Sequence, residues 1–267
     1  MLTGEKTWRR LALMGGVIGA LAVGSAAAGA VVVPQFAKPL STRPYEPPPP
    51  VVVTQPSSAA PTQSASPSPS TSPEVSPRPA SAFTTWAAPL AGRLAVPQTA
   101  LEAYGYAEWV LQQTTPTCKL QWTTLAAVGK VTTDHGRQGG STLDPQGRMR
   151  PALIGPALNG TGGAAKVADT DAGALDGDHT WDHAVGPLQF IPSMWRQSGV
   201  DGDNDQLADP QDVDDAALAA AYHLCASGKD LSVVANWKSA VSAYHGLASQ
   251  LDKVFEEAQA YGVKSRS

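Results

Sequence analysis

Sixteen of the chain's 23 prolines fall between Pro34 and Pro97, and the other seven are spread over the remaining 170 residues. So uneven a distribution is not that of a single globular unit. The chain is therefore at least two physical objects. Charge divides it at the same place: residues 1–95 carry 7 Lys/Arg and 3 Asp/Glu, residues 96–267 carry 12 and 20, and the resulting +4 and −8 sum to the formal −4. An acidic folded part argues against a nucleic-acid partner, because phosphate binding needs a basic face. Its length of about 170 residues suits one well-buried domain and is short for two.

Residues 1–10 form a basic tip with Lys6, Arg9 and Arg10, and Leu11 to Val33 carry no charge. A helix of that length measures about 34 Å and crosses a hydrocarbon core of about 30 Å. The basic flank places the tip in the cytoplasm and the rest of the chain outside. Ala26 to Ala30 also offer a small-residue cleavage site, so 11–33 reads either as a transmembrane signal-anchor or as a cleaved signal peptide. The protein is accordingly expected in the plasma membrane, single-pass with its C-terminal domain extracytoplasmic, or secreted if the segment is cut. Residues 34–95 are rich in Pro, Ser and Thr, with a block at Pro47–Pro50, and are expected to be a disordered spacer.

From Pro97 the pattern turns helical. Leu101, Tyr104, Ala107 and Leu111 form one apolar stripe, and Leu125, Val128 and Val131 a second within a helix over 122–135 that Gly136 stops. Asp214 and Asp215 are placed to cap an alanine-rich helix over 216–226. Further helices are expected from Ser232 through Tyr244 to Gly246 and over 247–261. Residues 96–264 thus read as a mainly α-helical domain with long connections at 137–185 and 199–213, and loops of that length are usually functional or ligand-bound. Cys118 and Cys225 are the two cysteines of the chain. In an exported protein they are expected to form one disulfide, with two buried free thiols as the alternative.

Between Asp169 and Asp215 lie 12 Asp and one Arg, Arg196. Such a run repels itself unless it is solvated or bound to a cation. Asp201, Asp203 and Asp205 alternate as in the first half of an EF-hand loop, with Leu207 placed to offer a carbonyl and Asp209 or Asp212 to close the site. Hard oxygen ligands of this kind suit a structural Ca2+, with no cofactor required for chemistry. Gln206 stands where an EF-hand has Gly, and the twelfth position is Asp212 instead of Glu, so a solvated acidic loop is the alternative. His179 and His183 lack the Glu of an HExxH zinc motif.

The segment Trp181-Asp-His-Ala-Val-Gly-Pro-Leu-Gln-Phe-Ile-Pro-Ser-Met-Trp195 is the most informative in the chain. Gly186 and Pro187 are expected to start a short helix presenting Gln189, Phe190 and Trp195, a set in which rings stack on sugars and an amide reads hydroxyls. Here the sequence resembles the B-type lytic murein transglycosylases, in particular their actinobacterial branch. The resemblance rests on Gly186-Pro-Leu-Gln-Phe-Ile-Pro-Ser, on Asp169-Thr-Asp and Leu175-Asp-Gly-Asp before it, and on Asp209-Pro, Asp214-Asp-Ala-Ala-Leu-Ala-Ala-Ala and Ala240-Val-Ser-Ala-Tyr244 after it. It implies a goose-lysozyme-like helical fold with a groove for peptidoglycan glycan strands, lined by Gln189, Phe190 and Tyr244. Protein partners are not read from the sequence.

The chemistry implied by the resemblance needs one carboxylic acid. A Glu protonates the glycosidic oxygen between N-acetylmuramic acid and N-acetylglucosamine, then helps the muramoyl 6-hydroxyl attack the anomeric carbon, giving a 1,6-anhydro product. The family's Glu lies in a segment like Gly-x-Val-Glu-Ser-Asp-His-Gly-Arg, and here that segment reads Gly129-Lys-Val-Thr132-Thr-Asp-His-Gly-Arg137. Thr132 holds the acid's position but is not an acid, and general acid catalysis is typically worth about 10² to 10⁴ in rate. His245 also stands where Asn usually follows the tyrosine. Two functions follow from the resemblance: a peptidoglycan-cutting transglycosylase with its acid supplied differently, or a glycan-binding pseudoenzyme that tethers or regulates wall machinery.

Overall fold

A computed structural model describes residues 78–163 and 165–267. The basic tip 1–10, the apolar run 11–33 and residues 34–77 of the expected spacer lie outside the described residues. Among the described residues no helix is long and apolar enough to cross a membrane.

Seven α-helices and four short strands make up the described part: α1 Thr84–Leu94, α2 Gln98–Thr114, α3 Trp122–Thr133, β1 Thr142–Leu143, β2 Met149–Arg150, β3 Ile154–Ala157, β4 His183–Val185, α4 Pro192–Ser198, α5 Val213–Cys225, α6 Val234–Ala243 and α7 Leu251–Lys264. The mainly helical class is the one expected. The strands pair as two antiparallel ribbons, β1 with β2 and β3 with β4, inside the segment read as a long connection.

The core lies between α2, α3, α5 and α7. α2 packs on α5, and α3 packs on α7. Leu101, Tyr104, Ala107 and Leu111 of α2 are buried, as the apolar stripe requires, and so are Ala216, Ala217, Ala219, Ala220 and Ala221 of α5. Small residues around the whole of this buried helix let its neighbours approach closely, so contact is gained in place of side-chain bulk. The expected disulfide is present. Cys118 and Cys225 are bonded with their Cα atoms 5.6 Å apart, which joins the turn before α3 to the end of α5.

The expected boundary at residue 95 is corrected. Residues Pro79–Phe83 form a 3-10 turn and α1 follows, with Ala80, Ala87, Leu90 and Leu94 buried in the same fold. Two of the prolines that suggested a linker are compatible with these helices. Pro79 sits at the first helical position, where its missing N–H costs nothing, and Pro89 is on the exposed side of α1. Phe83 and Trp86 lie across Gly105 of α2, where an added Cβ would come within 2.8 Å of the Trp86 ring.

Two helix ends also differ from the sequence reading. The cap of α5 is Asp212, whose carboxylate accepts the Asp214 amide at 2.8 Å, while Asp214 and Asp215 lie buried in the first turn. Helix α3 stops at Thr133, since Asp134 and His135 both take left-handed backbone angles ahead of Gly136. The His135 amide turns back to the Gly129 carbonyl at 2.8 Å, which closes the end of the helix.

Candidate functional site

The site forms where three segments meet: the end of α3, the turn after β4, and the residues after α6. Residues 186–189 are a tight turn closed by the Val185–Phe190 pair, whose two backbone hydrogen bonds measure 2.8 and 2.9 Å. The expected short helix from Gly186 is thus corrected to a turn, and the helix begins later, at Pro192. Gly186 and Gln189 both have positive φ, 74° and 53°. The turn exposes its carbonyls inward, and side-chain hydroxyls hold them. Thr133 donates to the Pro187 carbonyl at 2.6 Å, and Tyr244 donates to the Leu188 carbonyl at 2.8 Å.

Thr132 is bound into this scaffold. Its Oγ1 lies 2.8 Å from the Val128 carbonyl and 3.3 Å from that of Pro187. The nearest acid in sequence, Asp134, is turned to the surface between Lys130 at 2.5 Å and Arg137 at 3.0 Å. Its partial burial would raise its pKa, but those two cations outweigh it and hold the carboxyl below its ordinary range. Glu108 is the buried acid that the sequence reading passed over. It accepts the Trp122 amide at 3.1 Å and so caps α3 at the opposite end from Thr132, about 15 Å away along the helix. Burial lifts it to about 7 against that bond and one donated by Gln112 at 3.0 Å, yet it cannot reach the turn.

Phe190 and Tyr244 are corrected as glycan-facing rings. Phe190 is fully buried and Tyr244 is 1% exposed. They pack edge-to-face on each other, with ring centres 5.6 Å apart, and Phe190 packs likewise on Trp195 at 5.1 Å. Tyr244 acts from inside, as the donor that fixes Leu188, and its burial drives its pKa far up so that it stays protonated. Gln189 remains half-buried at the turn. Its Nε2 donates to the Gly186 carbonyl at 2.9 Å, and its Oε1 lies over Gly155 of β3, where a Cβ would come within 2.7 Å. His245 follows Tyr244 and is half-buried. Burial lowers its pKa, while Asp182 pulls the other way.

Behind the turn, His135 is fully buried between two hydroxyls, Tyr104 at 3.2 Å and Tyr261 at 2.8 Å. Burial first, and then Arg137, lower its pKa to about 3. A histidine held neutral stabilises the fold fully above its unfolded value near ~6.5, and that contribution is lost as pH falls toward the folded value. Glu108 works oppositely, since its raised pKa contributes below its unfolded value and is lost as pH rises through about 7. The stability difference between the native chain and a His135→Gln variant, which cannot titrate there, is therefore expected to shrink from about pH 7 to about pH 4. Urea midpoints at the two pH values measure it, and a constant difference would contradict the assignment.

The acidic stretch folds into two separate groups. In the first, both Asp182 oxygens are taken by Thr170, through its amide and its hydroxyl at 2.8 Å each, and Asp169 accepts the amides of Asp171 and Gly173. This group shapes the 169–182 loop. In the second, Asp201, Asp203 and Asp215 bring carboxylate oxygens within 4.8 Å of one another.

The ligand set read from the EF-hand pattern is corrected accordingly. Asp205 and Asp209 pair with Arg148, the latter at 3.2 Å, Asp212 caps α5, and Leu207 is 55% exposed with its amide bound to Asp205. Asp215, from the helix instead of the loop, takes their place, which a pattern of alternating loop positions could not show. Gln206 adopts the left-handed angle that Gly supplies in an EF-hand, φ 75°.

A cation fits this second group on the structure's own terms. Asp201 Oδ1 is buried with no hydrogen-bond partner. Burial and the neighbouring Asp203 and Asp201 push Asp215 up to about 7, against the Asp209 and Gly202 amides it accepts.

No curated protein and no solved structure matches the chain. Residues 166–267, which carry the 186–190 turn, the Asp201 group and Tyr244 but not Thr132, match the family model of the transglycosylase SLT domain, and this supports the lytic transglycosylase family.

Proposed function

We propose that the domain binds peptidoglycan glycan strands at the Gly186–Phe190 turn and does so without the general acid of a transglycosylase. The observation that carries this reading is the setting of Thr132, whose hydroxyl is given to backbone carbonyls while Asp134 is held ionised at the surface and Glu108 caps the far end of α3. The turn itself is complete: its backbone is fixed by Thr133 and Tyr244, and Gln189 is offered at its rim. A rigid turn carrying an amide suits recognition of hydroxyl or N-acetyl groups. Gln189→Ala is expected to lower retention on purified sacculi by roughly tenfold, the worth of one or two hydrogen bonds. Co-sedimentation measures it, and unchanged retention would remove Gln189 from the binding surface.

In this reading the apolar run 11–33 holds the domain outside the plasma membrane or directs its secretion, and the proline-rich residues carry it toward the wall. The B-type, actinobacterial resemblance belongs to the same proposal. So does a structural calcium held by Asp201, Asp203 and Asp215, which would offset the repulsion among the three carboxylates. Calcium in excess of its Kd is expected to raise the melting temperature by about 5 °C or more, and Asp215→Asn is expected to abolish that rise. A melting temperature indifferent to calcium would leave the group as a solvated acidic loop.

The second reading, a working transglycosylase, is favoured by the SLT match. It needs a carboxylic acid from elsewhere in the chain.

A further inference from the structure

His183 on β4 has both ring nitrogens against acceptors. Nδ1 lies 2.7 Å from the Gly155 carbonyl of β3, and Nε2 lies 3.1 Å from an Asp178 carboxylate oxygen. A neutral imidazole has one N–H and can satisfy one of these contacts, leaving a lone pair facing the other acceptor. The imidazolium donates to both. The geometry therefore selects the protonated ring.

The charged groups around the ring agree with that. Asp178 and Asp176 face it from the 169–182 loop, and Asp176 also accepts the His183 amide at 2.7 Å. Strand β3 contributes no ionisable side chain, its sequence being Ile-Gly-Pro-Ala. Arg196 is the one charged residue of α4, which packs on β4, and it donates to the Thr170 carbonyl at 3.0 Å. Asp182, next in sequence, is engaged by Thr170. Burial pulls the imidazole down, but the Gly155 carbonyl and the two aspartates outweigh it and hold its pKa above the usual histidine value.

Gly155 is the shared point. Its carbonyl receives His183, and its Cα lies beneath Oε1 of Gln189. Moving this residue moves the floor on which the Gln189 side chain rests.

We propose that protonated His183 is a positioning residue for Gln189, pinning Gly155 beneath it and so making glycan binding at the turn stronger when the imidazole is charged than when it is neutral. This rests on the peptidoglycan-binding reading. The direction follows from the chemistry: at acid pH the ring donates to both Gly155 and Asp178, and as it loses a proton either the Gly155 bond is lost or the ring keeps that bond and loses the Asp178 contact that holds it in place. Couplings between neighbouring groups of this kind are typically 5- to 150-fold, and the low end is expected here.

The test is retention of the full chain on purified sacculi from about pH 5.5 to about pH 8.5, for the native sequence and for His183→Gln. Native retention is expected to fall roughly fivefold across that range, and the variant is expected to stay near the weaker, alkaline level with a flat profile. A native profile that is flat, or a slope that persists unchanged in His183→Gln, would overturn the inference. Absence of retention at every pH would instead overturn the peptidoglycan reading beneath it. Should His183→Gln fail to fold, NMR of the native chain decides: the Gly155 amide and the Gln189 side-chain amide are expected to shift with the His183 titration. Signals indifferent to that titration would refute the proposal.

Discussion

Replacing Arg78 with alanine is expected to remove about 3–5 kcal/mol of stability, the usual loss when one partner of a buried ion pair is deleted. Arg78 forms a bidentate pair with Asp214, Nε to Oδ2 at 2.5 Å and Nη2 to Oδ1 at 2.8 Å, and reaches Glu102 at 3.2 Å. The Asp214 side chain is wholly inaccessible. Burial pushes its carboxyl up and Arg78 opposes that, so the variant would leave an uncompensated charge inside the first turn of α5. The same physics says that the pair itself is worth little beyond apolar packing. The double variant Arg78→Met, Asp214→Leu is therefore expected to recover most of the loss. Urea unfolding of the three chains separates these cases, and a single variant as stable as the native chain would show that the pair does not anchor the domain. A fragment that begins at residue 96 would lack both Arg78 and α1 and is expected to unfold as readily as Arg78→Ala or more so.

Gly186→Ala is expected to cost at least as much and to abolish retention on sacculi. Left-handed backbone angles alone cost a residue with a Cβ about 1–2 kcal/mol, and Gly186 sits at φ 74°. Its Cβ would also overlap the Pro210 carbonyl oxygen and come within 2.7 Å of the carbonyl carbon, both backbone atoms that cannot swing aside. The Gly186 amide is meanwhile fixed to the Leu153 carbonyl at 2.8 Å. The turn would have to leave its place between β3 and the segment entering α5, and the Pro187 and Leu188 carbonyls would leave Thr133 and Tyr244 with it. Thermal melting and co-sedimentation test the two halves of this expectation. A variant that folds and binds normally would show that the turn's position is not what binding depends on.

Helix periodicity made α2, α3, α5, α6 and α7 legible, because each carries an apolar face long enough to repeat. Helix α1 was hidden by composition. Prolines at 79 and 89 look like a linker, and nothing local shows that Pro79 sits at a permitted first position or that Arg78 has a buried partner 136 residues away. The turn at 186–190 was recognisable as a candidate site by its residue order, but the placement of the side chains within it was not. A ring in a sequence does not say whether it faces outward or into the core, and Phe190 and Tyr244 prove to be packed inward. The acidic group was half legible for a similar reason: alternation identified Asp201 and Asp203, whereas Asp215 arrives from a helix and Arg148 claims Asp205 and Asp209 from β2's edge. His183 was singled out only as part of a failed zinc pattern, since its partners Gly155 and Asp178 come together through the β3–β4 ribbon.

Holding peptidoglycan without cutting it is the property on which the proposed function rests. Incubating the full chain with purified sacculi, and analysing both the pellet and the released material by mass spectrometry, separates holding from cutting. The protein is expected to sediment with the sacculi and to release no 1,6-anhydro muropeptides. Release of those products by the native chain would contradict the proposed function.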